Sequence, residues 1–152
     1  MQAIETYVQP ERPVVDVGCG SGILSIAALK LGASHALAVD IDNAAVLATR
    51  ENATSNEVNQ RVEAGLGSID EVLAGKFSIR QAPLVLANIL APVLIRLFEA
   101  GLAELIEPGG VIVLSGVLDS QAAGVVAAGK AKGLQFVEQL QMTDWVAIIL
   151  RR

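Results

Sequence analysis

Residues 16 to 22 read Asp16-Val17-Gly18-Cys19-Gly20-Ser21-Gly22, three glycines at alternate positions behind an acid. Glycines at this density let backbone approach a ligand closely. Where such a turn opens a helix, the unpaired N–H groups and partial positive charge suit a carboxylate or a phosphate. Two nucleotide loops do not fit: the dinucleotide fingerprint Gly-x-Gly-x-x-Gly needs a glycine where Ile23 stands, and no Lys-Ser or Lys-Thr follows as a P-loop requires. About 20 residues on stands Asp40, an acid able to accept hydrogen bonds from both hydroxyls of a ribose. Asp42, followed by Asn43, competes for that role but reads better as a helix cap. A second polar position is Asn88, whose side-chain carbonyl can accept a hydrogen bond from an amine and orient it. Taken singly, the glycines could be a tight turn and Asn88 a strand-end turn residue. Cys19, with no base in view, reads as a small filler, and Trp145 as a core residue.

The surrounding sequence says how these residues are held. Pro13 to Val17 is a short β-branched run ending at Gly18, followed by small and aliphatic residues at helical spacing from Gly22 to Leu31. Ala36 to Ile41 predicts a second strand, Asn43 the cap of a helix reaching about Asn56, and Val62 to Ala64 a brief third strand. Leu84 to Ala87 predicts a fourth strand, Pro92 to Ile106 a helix opened by proline, Val111 to Ser115 a fifth strand and Ser120 to Lys132 another helix. Phe136 to Leu140 and Trp145 to Leu150 are strand-like with no helix between them, which is an antiparallel ending. Strands alternating with helices demand an α/β fold with a mainly parallel sheet covered on both faces, because each parallel crossover is carried by a helix. Seven strands follow, and Gly18, Asp40 and Asn88 all fall at carboxyl ends, where open α/β sheets bind ligands.

Composition narrows the function. At 152 residues and 53% hydrophobic, the chain is the size of a single domain, 1–152, with a full core. A net charge of -5 is the wrong sign for gripping phosphates, and 3% aromatic residues offer little to stack bases on, so nucleic acid is a disfavoured partner. One cysteine and one histidine exclude a Cys/His zinc site and an internal disulfide, so no metal and a cytoplasmic location are expected. The opening Met1-Gln2-Ala3-Ile4-Glu5 carries no signal-like pattern, and the longest apolar run, Ala82 to Phe98, is broken by Asn88, Pro92 and Arg96, so no membrane span is expected.

Asp16-x-Gly-x-Gly-x-Gly with an acid after the second strand resembles the nucleotide-binding motif of class I methyltransferases that use S-adenosylmethionine, whose Rossmann-like sheet also ends in a hairpin. The resemblance implies that Gly18, Cys19 and Gly20 face the methionine part of the cofactor, that Asp16 meets its amine directly or through water, and that Asp40 with Ile41 holds the ribose end. The run Asn88-Ile89-Leu90-Ala91-Pro92 is similar to the Asn-Leu/Ile-x-Ala signature of the bacterial methyltransferases of large-subunit ribosomal protein eleven. It stands where relatives acting on adenine or glutamine amide carry Asn-Pro-Pro-Tyr. By this comparison Asn88 and Ile89 are the catalytic pair, Asn88 orienting an amine toward the sulfonium methyl, and Gly67 and Ser68 line the adenine end. Further stretches resemble the same family: Gly20 to Ala33, Leu114-Ser115-Gly116-Val117-Leu118 with Gln121, and Asp144-Trp145-Val146.

Members of that family carry a separate N-terminal domain for the ribosomal protein and, just before the first strand, a Gly-Thr-Gly-x-His-x-Thr-Thr stretch. The resemblance therefore implies a truncated gene product or an isolated catalytic domain here, and high hydropathy fits a face normally covered. Three readings follow: a protein amine methyltransferase domain of the ribosomal type, a class I methyltransferase with a small-molecule or nucleic-acid acceptor, and a non-catalytic remnant that binds cofactor weakly or serves as an interaction domain.

Overall fold

The computed structural model describes residues 1–152. Its elements are α1 (Gln2–Tyr7), β1 (Val14–Val17), α2 (Ile23–Lys30), β2 (Ala36–Asp40), α3 (Asn43–Ser55), β3 (Val62–Leu66), α4 (Ile69–Leu73), β4 (Ala82–Asn88), α5 (Ala91–Glu99), β5 (Ile106–Leu118), α6 (Asp119–Ala131), β6 (Gln135–Met142) and β7 (Trp145–Arg151). They form one seven-stranded sheet in the order β3-β2-β1-β4-β5-β7-β6. The first five strands in that order run parallel, and β7 is antiparallel to both β5 and β6. The strand order reverses beside β1, so the ends of β1 and β4 diverge into a crevice there.

Both sheet faces are covered. Val15 and Val17 of β1 pack with α4, α5 and α6 on one face, and Val14 packs with α1, α2 and α3 on the other. The period of two along a strand puts Asp16 on the same face as Val14, beneath α2. No helix is long and apolar enough to cross a membrane.

Several predicted boundaries move, each for a local reason. Of the two capping residues read from sequence, Asp42 and Asn43, the cap of α3 is Asp42: its Oδ1 accepts the Ala44 N–H at 2.9 Å, and Asn43 is the first helical residue. The helix predicted from Pro92 to Ile106 is two pieces, because Gly101 at φ +104 ends the α-helical segment and Leu102–Leu105 continues as a 3₁₀ turn. The fifth strand is longer than Val111 to Ser115. Its register against β4 jumps from Ala82↔Ile106 to Leu84↔Val111, so Pro108, Gly109 and Gly110 belong to a bulge inside the strand. Helix α1 has no sequence signal of its own. Its Tyr7 hydroxyl donates to Glu138 of β6, which ties the helix to the sheet and raises the tyrosine pKa.

Candidate functional site

A crevice of about 760 Å³ opens at the carboxyl ends of the strands. Of the residues singled out from sequence, Gly18, Asp40, Ile41, Gly67, Ser68, Asn88 and Ile89 line it. Asp16, Cys19 and Gly20 are not part of that lining, and of the three it is Gly20 that bonds directly to a lining residue, Asp40.

At one end is the glycine turn. The N–H groups of Gly18 and Cys19 both donate to the Val39 carbonyl, at 2.8 and 3.0 Å, so the turn is tied to the neighbouring strand. Asp40 closes it: one carboxylate oxygen accepts the Gly20 N–H at 3.0 Å and the other the Asp42 N–H at 2.9 Å. Each carboxylate oxygen keeps a lone pair for a further donor. Gly18 sits at φ +68, and a Cβ there would lie 2.6 Å from Ile89 Cδ1, so both backbone and wall require glycine. Past Asp40, the exposed apolar Ile41 lines the crevice together with Gly67 and Ser68. Gly67 donates to the Asp40 carbonyl at 2.9 Å, and the Ser68 N–H donates to Glu71 at 2.8 Å, a bond that lowers the Glu71 pKa.

Asp16 lies under the turn, 1% exposed. One carboxylate oxygen accepts both the N–H and the hydroxyl of Ser25, at 3.2 and 2.7 Å, while Oδ1 is buried without a partner. Burial pushes its pKa up to about 6, opposed by the two Ser25 bonds and assisted by the nearby Asp40 charge. Burial likewise pushes the Cys19 thiol up to about 11, so it is no thiolate nucleophile.

The other end is built by Asn88, Ile89, Leu90, Val93, Leu97, Gly116 and Trp145. Ile89 donates to the Ser115 carbonyl at 3.1 Å, fixing the segment after β4 against β5. Gly116, at φ +75, is required here: a Cβ would stand 2.8 Å from Asn88 Oδ1. It falls in the break between Leu114↔Ile148 and Val117↔Val146 in the β5–β7 ladder. A glycine inside a strand marks such a close approach, and that signal was present in the sequence. Trp145 is a correction: it is 48% exposed and lines the crevice, as the first residue of β7 at the hairpin end of the strand.

The whole chain, residues 1–152, matches the family model described as Ribosomal protein L11 methyltransferase (PrmA). The chain belongs to the ribosomal protein L11 methyltransferase family. Relatives of that name from Heliobacterium modesticaldum and Exiguobacterium sibiricum are each 41% identical to it over 152 residues, all of this chain and 46% of theirs. The chain thus spans just under half the length of these curated relatives. Among solved structures, the ribosomal protein L11 methylase of Lactobacillus delbrueckii subsp. bulgaricus superposes with a TM-score of 0.81 at 31% identity, covering 100% of this chain and 76% of that one. The B. subtilis tRNA methyltransferase TrmK, at 15% identity and a TM-score of 0.77, covering 99% of this chain and 64% of that one, shares the fold. The seven-stranded Rossmann-like architecture expected from sequence is therefore that of the family, which implies S-adenosylmethionine as methyl donor.

Proposed function

We propose that residues 1–152 form a single cytoplasmic catalytic domain that transfers methyl groups from S-adenosylmethionine to lysine or α-amino nitrogens of ribosomal protein L11. The observation that carries this is the two-ended crevice: a clamped glycine turn with Asp40 at one end, Asn88 and Ile89 at the other. The residues fit the cofactor. Asp40 has lone pairs to spare for two ribose hydroxyls, Gly18 leaves backbone bare where a Cβ would collide with the wall, and Asp16 carries a buried, unpartnered oxygen beneath the turn. Ile41, Gly67 and Ser68 would flank the adenine, and Cys19 and Gly20 would contribute backbone only.

When bound, S-adenosylmethionine supplies an electrophilic methyl group on a sulfonium. The chain's own part is to present an amine lone pair to it. Asn88 Oδ1 accepts a hydrogen bond from the acceptor nitrogen, which fixes the direction of the remaining lone pair. A lysine ammonium in water has a pKa of about 10.4, and desolvation between Leu90, Val93, Leu97 and Trp145 lowers it. The proton then leaves to solvent through the open mouth, and no side-chain base is required. Ile89, locked to Ser115, keeps Asn88 in place.

The test is transfer of labelled methyl groups to purified ribosomal protein L11 by this chain. Incorporation into amino groups, lost in Asn88→Ala, is expected. Incorporation only into an RNA or small-molecule acceptor would overturn the substrate, and cofactor binding with no transfer to any acceptor would overturn the catalytic reading.

A further inference from the structure

The chain fully buries three polar side chains, Asp16, Ser25 and Thr49, and all three sit beneath the glycine turn. Asp16 and Ser25 bind one another. Thr49, on α3, instead reaches into the turn. Its hydroxyl donates to the Gly20 carbonyl at 3.0 Å and lies 3.3 Å from the Cys19 sulfur. Its methyl group fills the space of the missing side chain of Gly22, where a Cβ would stand 2.7 Å from Thr49 Cγ2. One helical turn on, the Asn52 amide donates to the Ser21 carbonyl at 2.9 Å.

Gly20 is therefore held at both ends, its N–H by Asp40 and its carbonyl by Thr49. An untethered glycine at φ +55 has many other conformations within reach, and the space about its Cβ position is open, with nothing within 4 Å, so these two hydrogen bonds are what restrain it. Gly20 thus links α3 to the crevice acid through the two peptide planes that flank it: the Thr49 bond fixes the plane of its carbonyl, and its N–H is one of the two, with that of Asp42, that hold the Asp40 carboxylate. A fully buried hydroxyl thus bears, through Gly20, on one of the two bonds that aim a carboxylate lining the crevice.

We infer that Thr49, aided by Asn52, is a positioning residue that holds the glycine turn and Asp40 in their cofactor-binding arrangement. This rests on reading the crevice as the S-adenosylmethionine site. The clamp acts on cofactor affinity and leaves the Asn88 end of the crevice alone, so it separates binding from transfer.

The experiment is calorimetric titration of S-adenosylmethionine and S-adenosylhomocysteine into wild type, Thr49→Val, Thr49→Ser, Asn52→Ala and the helix control Thr54→Val. Thr54 donates only within its own helix, to the Arg50 carbonyl. Thr49→Val preserves shape and removes one hydroxyl, leaving a buried carbonyl without a partner, so an affinity loss of about tenfold is expected. Thr49→Ser restores affinity, Asn52→Ala loses about threefold, and Thr54→Val matches wild type. In methyl transfer, Thr49→Val raises the KM for cofactor and keeps kcat at saturation within about twofold of wild type. Wild-type affinity in Thr49→Val overturns the inference while the cofactor site stands, and so does an affinity loss in Thr49→Val that Thr49→Ser fails to restore. Absence of binding in wild type overturns the site and the inference with it. Should Thr49→Val not fold, Asn52→Ala decides, and unchanged affinity there overturns the clamp.

Discussion

The two ends of the crevice are made differently. At the end proposed for the nucleoside the backbone polar groups are committed within the chain: Gly18, Cys19 and Gly20 give their N–H groups to Val39 and Asp40, Gly20 takes a hydroxyl from Thr49, and the Ser68 N–H is held by Glu71. At the end proposed for the acceptor Asn88 is exposed and two apolar side chains stand in solvent, Leu90 at 63% and Trp145 at 48% exposure, as Ile41 does at 81% beside Asp40. A preorganised end suits a small ligand whose shape never varies, since ordering done in folding is not repeated on binding. An open apolar end suits an acceptor that brings its own surface and completes the wall, and a protein substrate does so.

Substitutions at the two ends should therefore fail in different ways. Gly18→Val is expected to have the largest effect. The new side chain meets Ile89 from a left-handed backbone position, so cofactor binding falls below detection by calorimetry while the protein stays folded by circular dichroism. Retained binding would show that the turn gives way and is not preorganised. Asn88→Ala should leave cofactor affinity unchanged and cost about 100-fold in kcat, because misplacing an acceptor by a small distance is that expensive. A matching loss of cofactor affinity would erase the distinction between the ends.

Asp16 sharpens the comparison through pH. Its pKa lies near 3.8 in the unfolded chain and about 6 in the folded one, so the folded state holds its proton over a wider range. The stability this group contributes is full below the lower value and is lost as pH rises through the upper one. Relative to Asp16→Asn, wild type should lose on the order of 3 kcal/mol between about pH 4 and pH 8 in urea unfolding. Parallel curves would show that Asp16 is not strained by burial. Trp145→Ala should have the smallest effect: a KM for the protein acceptor raised about fivefold, with cofactor affinity untouched. A change in cofactor affinity instead would assign Trp145 to the nucleoside end.

Much of this was legible in the sequence. Glycines, an acid and an asparagine at strand ends carry local signals, since turn chemistry and the period of two act over a few residues. That is why Gly18, Asp40 and Asn88 land on one crevice as expected. What was hidden depends on residues far apart in the chain. Trp145 is of a residue type common in cores, and its place at the hairpin end of β7, beside the crevice, is set by strand pairing that no local pattern shows. Thr49 looks like any helical threonine until α3 is laid against the turn 29 residues away. Apolar periodicity ran through Leu102 and Leu105 without marking the break at Gly101, since both pieces face the same core. Helix α1 is six residues with no side-chain cap, held by tertiary contacts that no local pattern encodes.

The central claim is that Asp40 and the turn it closes bind the methyl donor. Its most direct test is titration of wild type and Asp40→Ala with S-adenosylmethionine. One-to-one binding by wild type, weakened at least about tenfold in Asp40→Ala through loss of the ribose and Gly20 hydrogen bonds, is the expected result. Equal affinity in the two proteins would contradict the account.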